Sequence, residues 1–316
     1  MRTDVAVPPI DLSVLLVTYN SRPFIDLCLG AVEETVRRHA FEVIAVDNAS
    51  PDGTAAHLRA HWPSVTTIDM GRNAGFAAAN NRAFAASSGR HVVLLNGDAV
   101  VGPGALDDLV DHLDAHPEVG VVAPKLCNPD GSDQCTARAF PTPSAAIWGR
   151  RSPLTRAFPQ SRYVRRYLTG RDRAGDEAFP VDWVSGACLM VRRQVVEQVG
   201  GLDEGFFMHW EDADWCRRIS SAGHEVWCIP SIWVLHAEGG SRRGWPAPQV
   251  RHFHRGAYRY YRKHHLLGPR AVLRPVAAAA LASRAALVMA RNELRRRADD
   301  RPEPSPGLPD LAGDLR

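Results

Sequence analysis

The chemistry available to this chain sits in two acidic stretches and one histidine. The apolar run from Val92 to Leu95 stops at Asn96-Gly97-Asp98. Asp98 is a hard oxygen donor suited to Mg²⁺ or Mn²⁺ and, through such a cation, to a diphosphate. Asn96 adds a neutral amide oxygen at most. His236, in Val234-Leu235-His236-Ala237-Glu238-Gly239-Gly240, follows another apolar run. Its imidazole nitrogen suits Mn²⁺ better than Mg²⁺, though a single structural hydrogen bond would also explain it. The cluster Trp210-Glu211-Asp212-Ala213-Asp214-Trp215-Cys216-Arg217-Arg218-Ile219 places three carboxylates within four residues at a helix start. Capping and the helix dipole account for some of that charge, but not for all three groups. Asp214 and Arg218 are spaced i,i+4 and can pair. That leaves Glu211 or Asp212 to take a proton from an attacking hydroxyl.

These groups need a scaffold to bring them together. Compact leucine and β-branched runs at 12–18, 41–46 and 92–95 alternate with helix-like stretches at 23–39, 53–61 and 75–88, and 65–69 adds a short strand. This is the alternation of an α/β sheet. Open parallel sheets bind ligands beyond the carboxyl ends of their strands, where Tyr19-Asn20, Asp47 and Asp98 all fall. Asp47, in Val46-Asp47-Asn48-Ala49-Ser50-Pro51-Asp52-Gly53-Thr54, can accept hydrogen bonds from a base edge or ribose, or simply belong to an Asx-rich turn. Gly71-Arg72-Asn73-Ala74-Gly75-Phe76, followed by Asn80 and Asn81, offers helix N-terminal amides to a nucleotide, although an ordinary glycine-rich helix start reads alike. It matches neither the P-loop nor the dinucleotide fingerprint.

Further on, 107–116 reads as a helix and 120–124 as a strand. Residues 128–180 are rich in Pro, Arg and Gly and read as a long excursion over the sheet, with Arg138, Arg150 and Arg151 able to meet a lipid diphosphate or only solvent. Order returns at Trp183-Val184-Ser185-Gly186-Ala187-Cys188-Leu189-Met190-Val191. Helices are expected at 194–199 and at 211–222, the latter closed by Gly223. The expected division is a main domain over 1–248, a helical basic extension over 249–300 and a disordered tail over 301–316.

A chain of 316 residues can bury a large core. Its net charge of +3 is unevenly spread, with 24 basic and 29 acidic residues in 1–250 against 14 and 6 in 251–316. A cationic tail attracts anionic lipid or nucleic acid. The acidic-to-neutral first 250 residues offer little continuous surface to phosphate backbones, which argues against a nucleic-acid module. Six cysteines without a CxxC pair, after a start lacking a long apolar segment, point to reduced thiols in the cytoplasm. The Ala-rich stretch 276–290 reads as too short for a membrane span and is interrupted by Arg284.

Seven ordered segments resemble the family 2 glycosyltransferases with a GT-A fold, above all their bacterial rhamnosyltransferase-like branch. They are Leu16-Val17-Thr18-Tyr19-Asn20, the Asp47 segment, Gly71 to Phe76 with Asn80-Asn81, Leu94-Leu95-Asn96-Gly97-Asp98, Trp183-Val184-Ser185-Gly186-Ala187, Gly200-Gly201-Leu202-Asp203-Glu204 and Glu211-Asp212-Ala213-Asp214. The resemblance implies one nucleotide-sugar-binding sheet flanked by helices. It implies that Thr18, Tyr19, Asn20, Asp47, Arg72, Asn73, Asn81, Asn96, Gly97 and Asp98 serve the donor, and that Asp98 and His236 hold Mn²⁺ or Mg²⁺. Asp212, with Glu211, would be the base, while Trp183, Ser185, Gly186 and Arg218 would face the acceptor. Asn96 departs from the common Asp-x-Asp form, as this branch often does, so the first carboxylate is missing. The segments and the basic tail are similar to those of actinobacterial enzymes that move L-rhamnose from dTDP-rhamnose to polyprenyl-diphosphate N-acetylglucosamine. That implies inverting, metal-dependent transfer to a lipid-linked or cell-envelope glycan at the cytoplasmic face of the plasma membrane, with a homodimer left open. Another nucleotide sugar, used for natural products or capsule, is the enzymatic alternative. An inactive glycan-binding or assembly protein is the other.

Overall fold

The structure, a computed structural model, describes residues 9–135, 137–142, 157–158, 160–161, 175–237 and 246–299, with side chains to 295. Arg150, Arg151, Glu238-Gly239-Gly240 and the tail 301–316 lie outside the described residues.

β1 (Leu12–Thr18) is buried along almost its whole length, because helices cover both faces of the sheet it centres. Leu12, Val14 and Leu16 point into one core with α1 (Ile25–Thr35) and α4 (Ala105–Ala115). Leu15 points into the other, with α3 (Phe76–Ala85), α5 (Arg193–Val199) and α6 (Glu211–Ser221). Each such leucine contributes roughly 1.5–3 kcal/mol by leaving water.

β2 (Phe41–Asp47), β3 (Thr66–Asp69) and β4 (His91–Asn96) join β1 in parallel register, with α2 (Thr54–His61) between β2 and β3. The sheet continues through β8 (Cys188–Arg192), antiparallel to both β4 and β6 (Val119–Cys127). β9 (Glu225–His236) lies parallel to β6, and with β5 (Ala99–Val101) at the edge the order is β3-β2-β1-β4-β8-β6-β9-β5. β7 (Phe179–Pro180) pairs with β9 off this path. The result is a mixed sheet flanked by helices, as expected.

Helix ends come out tighter than the sequence suggests. The stretch 23–39 narrows to α1 because Val36 turns extended. Asp107 from α4 then receives the Arg37 and Arg38 amides at 2.9 and 3.2 Å. One strand carries no sequence signal: β5 (Ala99–Val101) pairs antiparallel with β9 and sets Ala99 opposite His236.

After β9, α7 (Ala247–His264) lays Ala257, Tyr260 and Tyr261 into the second core. A 3₁₀ turn (Gly268–Leu273) leads to α8 (Arg274–Asp299). The reading of 276–290 as too short to span a membrane is corrected here, because the helical stretch Gly268–Arg295 is long and apolar enough by length and composition. Its flanking residues propagate the helix beyond the Ala-rich segment. The six cysteines are free thiols, four of them buried.

Candidate active site

The β5–β9 register brings Asp98 and His236 together across 138 positions of sequence. His236 Nε2 lies 3.3 Å from Asp98 Oδ1. Asn96 Nδ2 donates to the same Nε2 at 3.1 Å. On the other side of the ring, Gln134 Oε1 lies 2.9 Å from Nδ1, and Gln134 Nε2 donates to the His236 carbonyl at 2.7 Å. A ring whose Nδ1–H is held this way keeps its Nε2 lone pair on the Asn96-Asp98 side, where it accepts the Asn96 amide and where a metal-bound histidine would offer it. The donor set fits a divalent cation with two protein ligands, because hard cations keep several positions for phosphate oxygens and water. Among the described residues no group of three or more His, Cys, Asp or Glu stands ready as a closed metal cage. Gln134 was not singled out from sequence, since it lies in the excursion at 128–180 and its pattern marks nothing.

The second half of the site is the start of α6. His209 and Trp210 both take positive φ, 69° and 77°, which non-glycine residues adopt at a cost of about 1–2 kcal/mol each. Packing holds them there. The Phe207 carbonyl accepts the Phe76 amide at 2.7 Å, and the Trp210 ring leans on Phe253 and Tyr260 of α7 at 5.4 and 5.5 Å. A Cβ at Gly256 would meet the Trp210 ring at 2.9 Å and the His209 carbonyl at 3.0 Å, so α7 approaches this closely only because Gly256 lacks one.

Glu211 is buried and Asp212 half-buried. Burial first, and then the charge of Asp212, push the Glu211 carboxyl up to about 8. Burial also raises Asp212, partly offset by the Ala213 amide and the nearby Arg138 guanidinium. Asp212 Oδ2 accepts the Gly186 amide at 3.3 Å. Gly186 lies between Asp212 and the Phe76 ring, where a Cβ would stand 3.8 and 3.3 Å from them. One residue on, the Ala187 carbonyl accepts the Asn96 amide at 3.0 Å. Two adjacent residues therefore tie the Asp98 half of the site to the Asp212 half. Trp183 is fixed at the start of this segment, its Nε1 donating to the Ala139 carbonyl at 2.9 Å and Arg138 stacking 4.7 Å from its ring centre. Ser185 Oγ accepts the Ala187 amide at 3.4 Å.

Asp214 is fully buried and strongly paired. Arg218 meets it at 3.0 Å, as the i,i+4 spacing suggests, while Lys263 and His264 reach it from α7 at 2.9 and 2.7 Å. Burial alone would raise this carboxyl, but the His264 and Lys263 hydrogen bonds outweigh it and hold it low. Lys263 also meets Asp203 at 2.9 Å, beside Arg259 at 2.6 Å.

At the carboxyl ends of β1 and β2, Asp47 is buried and accepts Thr18 Oγ1 at 2.8 Å, Ser50 Oγ at 2.5 Å and the Ser50 amide at 2.8 Å. It holds the turn on which Asn20 (φ 57°) and Ala49 (φ 58°) stand, while Tyr19 is exposed. Asn48, which the sequence did not single out, clamps this turn to Ala74 and Gly75, each at 3.2 Å. Asn73 Oδ1 caps Gly75 at 3.1 Å, and Arg72 is exposed beside it. Two residues have structural partners instead of an open face. Asn81 exchanges hydrogen bonds with the Leu202 backbone, both 2.9 Å, and reaches Glu204 at 3.0 Å. Arg218 caps the carbonyls of Val199 and Gly201 at 2.8 and 2.6 Å.

A mixed sheet with an acidic stop at one strand end, joined through Gly186 and Ala187 to a carboxylate-rich helix start, is the arrangement of a glycosyltransferase of GT-A fold. The family model described as Glycosyl transferase family 2 matches residues 13–200. The chain belongs to that family. It is 33% identical over 296 residues to N-acetylglucosaminyl-diphospho-decaprenol L-rhamnosyltransferase of Mycobacterium tuberculosis, covering 90% of this chain and 94% of that protein. In fold it is similar to a mannosyltransferase from Pyrobaculum calidifontis in complex with GDP-Man and Mn²⁺, with TM-score 0.55, 22% identity, 95% of this chain and 79% of the other covered. It is also similar to GalNAc-T7 with UDP, GalNAc and Mn²⁺, with TM-score 0.58, 14% identity, and 83% and 52% covered.

Proposed function

We propose that this enzyme transfers L-rhamnose from dTDP-rhamnose to a lipid-linked or cell-envelope glycan, with inversion at the sugar C1. The likeness to the mycobacterial rhamnosyltransferase, which runs through nearly the whole of both chains, supports donor and acceptor. The observation that carries the chemistry is the Gly186-Ala187 backbone, which sets the Asp212 carboxylate and the Asn96-Gly97-Asp98 turn on one short segment.

In this reading the donor's base and ribose rest at the Thr18, Tyr19, Asn20 and Asp47 turn, with Arg72 and Asn73 beside it. Asp98 and His236 would hold a divalent cation, which when bound would offset the charge gathering on the departing diphosphate. The acceptor hydroxyl approaches between Trp183, Ser185 and Gly186, and Asp212 takes its proton as the oxygen attacks C1. The Gly186 amide keeps the accepting carboxylate aimed at that space. Glu211, kept protonated by burial, adds no competing negative charge. A single displacement needs no covalent enzyme nucleophile and inverts the configuration. Residues 1–248 do the chemistry, and the extension 249–300 braces α6 through α7. A lipid-linked acceptor places the enzyme at the cytoplasmic face of the membrane, in peripheral contact with it.

The test is a screen of dTDP-rhamnose, UDP-galactofuranose, UDP-glucose and GDP-mannose against lipid-diphosphate and small-glycan acceptors, with EDTA, Mn²⁺ or Mg²⁺. Transfer from dTDP-rhamnose with an inverted anomer by NMR is expected. Turnover with another donor alone would remove the rhamnose assignment.

A further inference from the structure

Helix α8 presents two different stripes. Ala277, Leu281 and Ala285, four residues apart, face the protein: the first two rest on the second core and Ala285 is buried. On the opposite side Val276, Leu287 and Leu294 are 66%, 71% and 68% exposed. Their spacings of eleven and seven residues are close to three and two helical turns, so they line up along one side of the helix. Val272 and Leu273 in the preceding 3₁₀ turn are also exposed. Exposed Arg284, Arg291 and Arg295 lie on one flank, between the apolar line and the protein-facing stripe.

This arrangement disagrees with a membrane span, although length and composition allow one. A spanning helix would carry Arg284 near the middle of the hydrocarbon, where a cation is costly. It would also have to leave the protein contact made by Ala277, Leu281 and Ala285. We infer that α8 lies in the plane of an anionic bilayer, with Val276, Leu287 and Leu294 in the acyl boundary and Arg284, Arg291 and Arg295 at the phosphates. The charge of the partner follows from the arginine flank and from the basic excess of residues 251–316. The α7–α8 contact then sets how far the α6 carboxylates stand from the lipid surface. This deepens the peripheral contact proposed above and is independent of which sugar is moved.

The test uses the full chain and vesicles of phosphatidylcholine with or without phosphatidylglycerol, without donor or acceptor. The wild type is expected to sediment with anionic vesicles and to be released by high salt. Leu287→Glu/Leu294→Glu should lower partitioning at least about tenfold, and each of Arg284→Gln, Arg291→Gln and Arg295→Gln roughly fivefold. Circular dichroism and transfer to a soluble acceptor should stay at wild-type levels, separating this surface from the active site. Three results would overturn the inference: retention on membranes through an alkaline carbonate wash, which indicates a span; equal binding to neutral vesicles; or a dimer dissolved by the leucine substitutions with no vesicle binding in the wild type.

Discussion

Lys263→Met tests whether a buried ion-pair cluster fastens α7 to α6. Lys263 Nζ bridges the fully buried Asp214 and the largely buried Asp203, at 2.9 Å each. Stripping a buried carboxylate of its sole partner costs about 3–5 kcal/mol. Here Asp214 keeps Arg218 and His264, and Asp203 keeps Arg259. The loss is therefore nearer one or two charge-assisted hydrogen bonds, and the lysine is a third exposed, so about 2–3 kcal/mol is expected. At about 2–4 °C per kcal/mol this lowers Tm by roughly 4–12 °C. Urea unfolding should move its midpoint without changing its slope, and a cycle with Asp214→Asn should give a coupling of about 1–2 kcal/mol. The pH dependence has a definite sign. Asp214 titrates below its ordinary 3.8 when folded, so its contribution is present above that value and is lost as pH falls through the folded value. The gap between wild type and Lys263→Met should accordingly be full at neutral pH and shrink in acid below about pH 4. A Tm within experimental error of wild type, or zero coupling to Asp214, would refute the reasoning.

Asp212→Asn should lower kcat by about 10²–10⁴ with donor affinity kept, and retained turnover with inverted product would remove Asp212 as base. Arg138→Met should shift the acidic limb of the kcat profile to higher pH, because Arg138 opposes the burial that raises Asp212 and activity requires the ionised carboxylate. An unmoved limb counts against that pairing. Gln134→Leu releases the His236 ring and should weaken Mn²⁺ binding about 10–100-fold, measured by calorimetry on the whole protein. Unchanged affinity would mean that His236 needs no outer support or is not a ligand.

Strand and helix alternation was legible because β1, β2 and β4 are compact apolar runs ending in polar residues. The meeting of Asp98 with His236 was legible only through the family resemblance, since residue patterns alone miss β5, which is three residues long and without a periodic pattern. Donor types could be read, but their convergence required a register. Adjacent asparagines illustrate another limit. Asn80 and Asn81 stand about 100° apart around α3, so they serve different neighbours: Asn80 bonds the Phe76 carbonyl, and Asn81 bonds the Leu202 loop. Lys263 and His264 read as basic tail, although they complete the Asp214 cluster from 49 and 50 positions away. Long-range ion pairs leave no mark on local composition.

Gly256 has a consequence for synthesis. The left-handed turn before Glu211 is packed by a helix that leaves the ribosome after the whole sheet, and whose close seat exists only because Gly256 has no side chain. Domains begin to order from the N-terminal side as the chain grows. The sheet can form while the α6 turn still lacks its packing partner, so a nascent or truncated chain ending before α7 holds the carboxylates without their support. Synthesis through α7 thus becomes a condition for packing the α6 end of the site, and that packing rests on one missing methyl group.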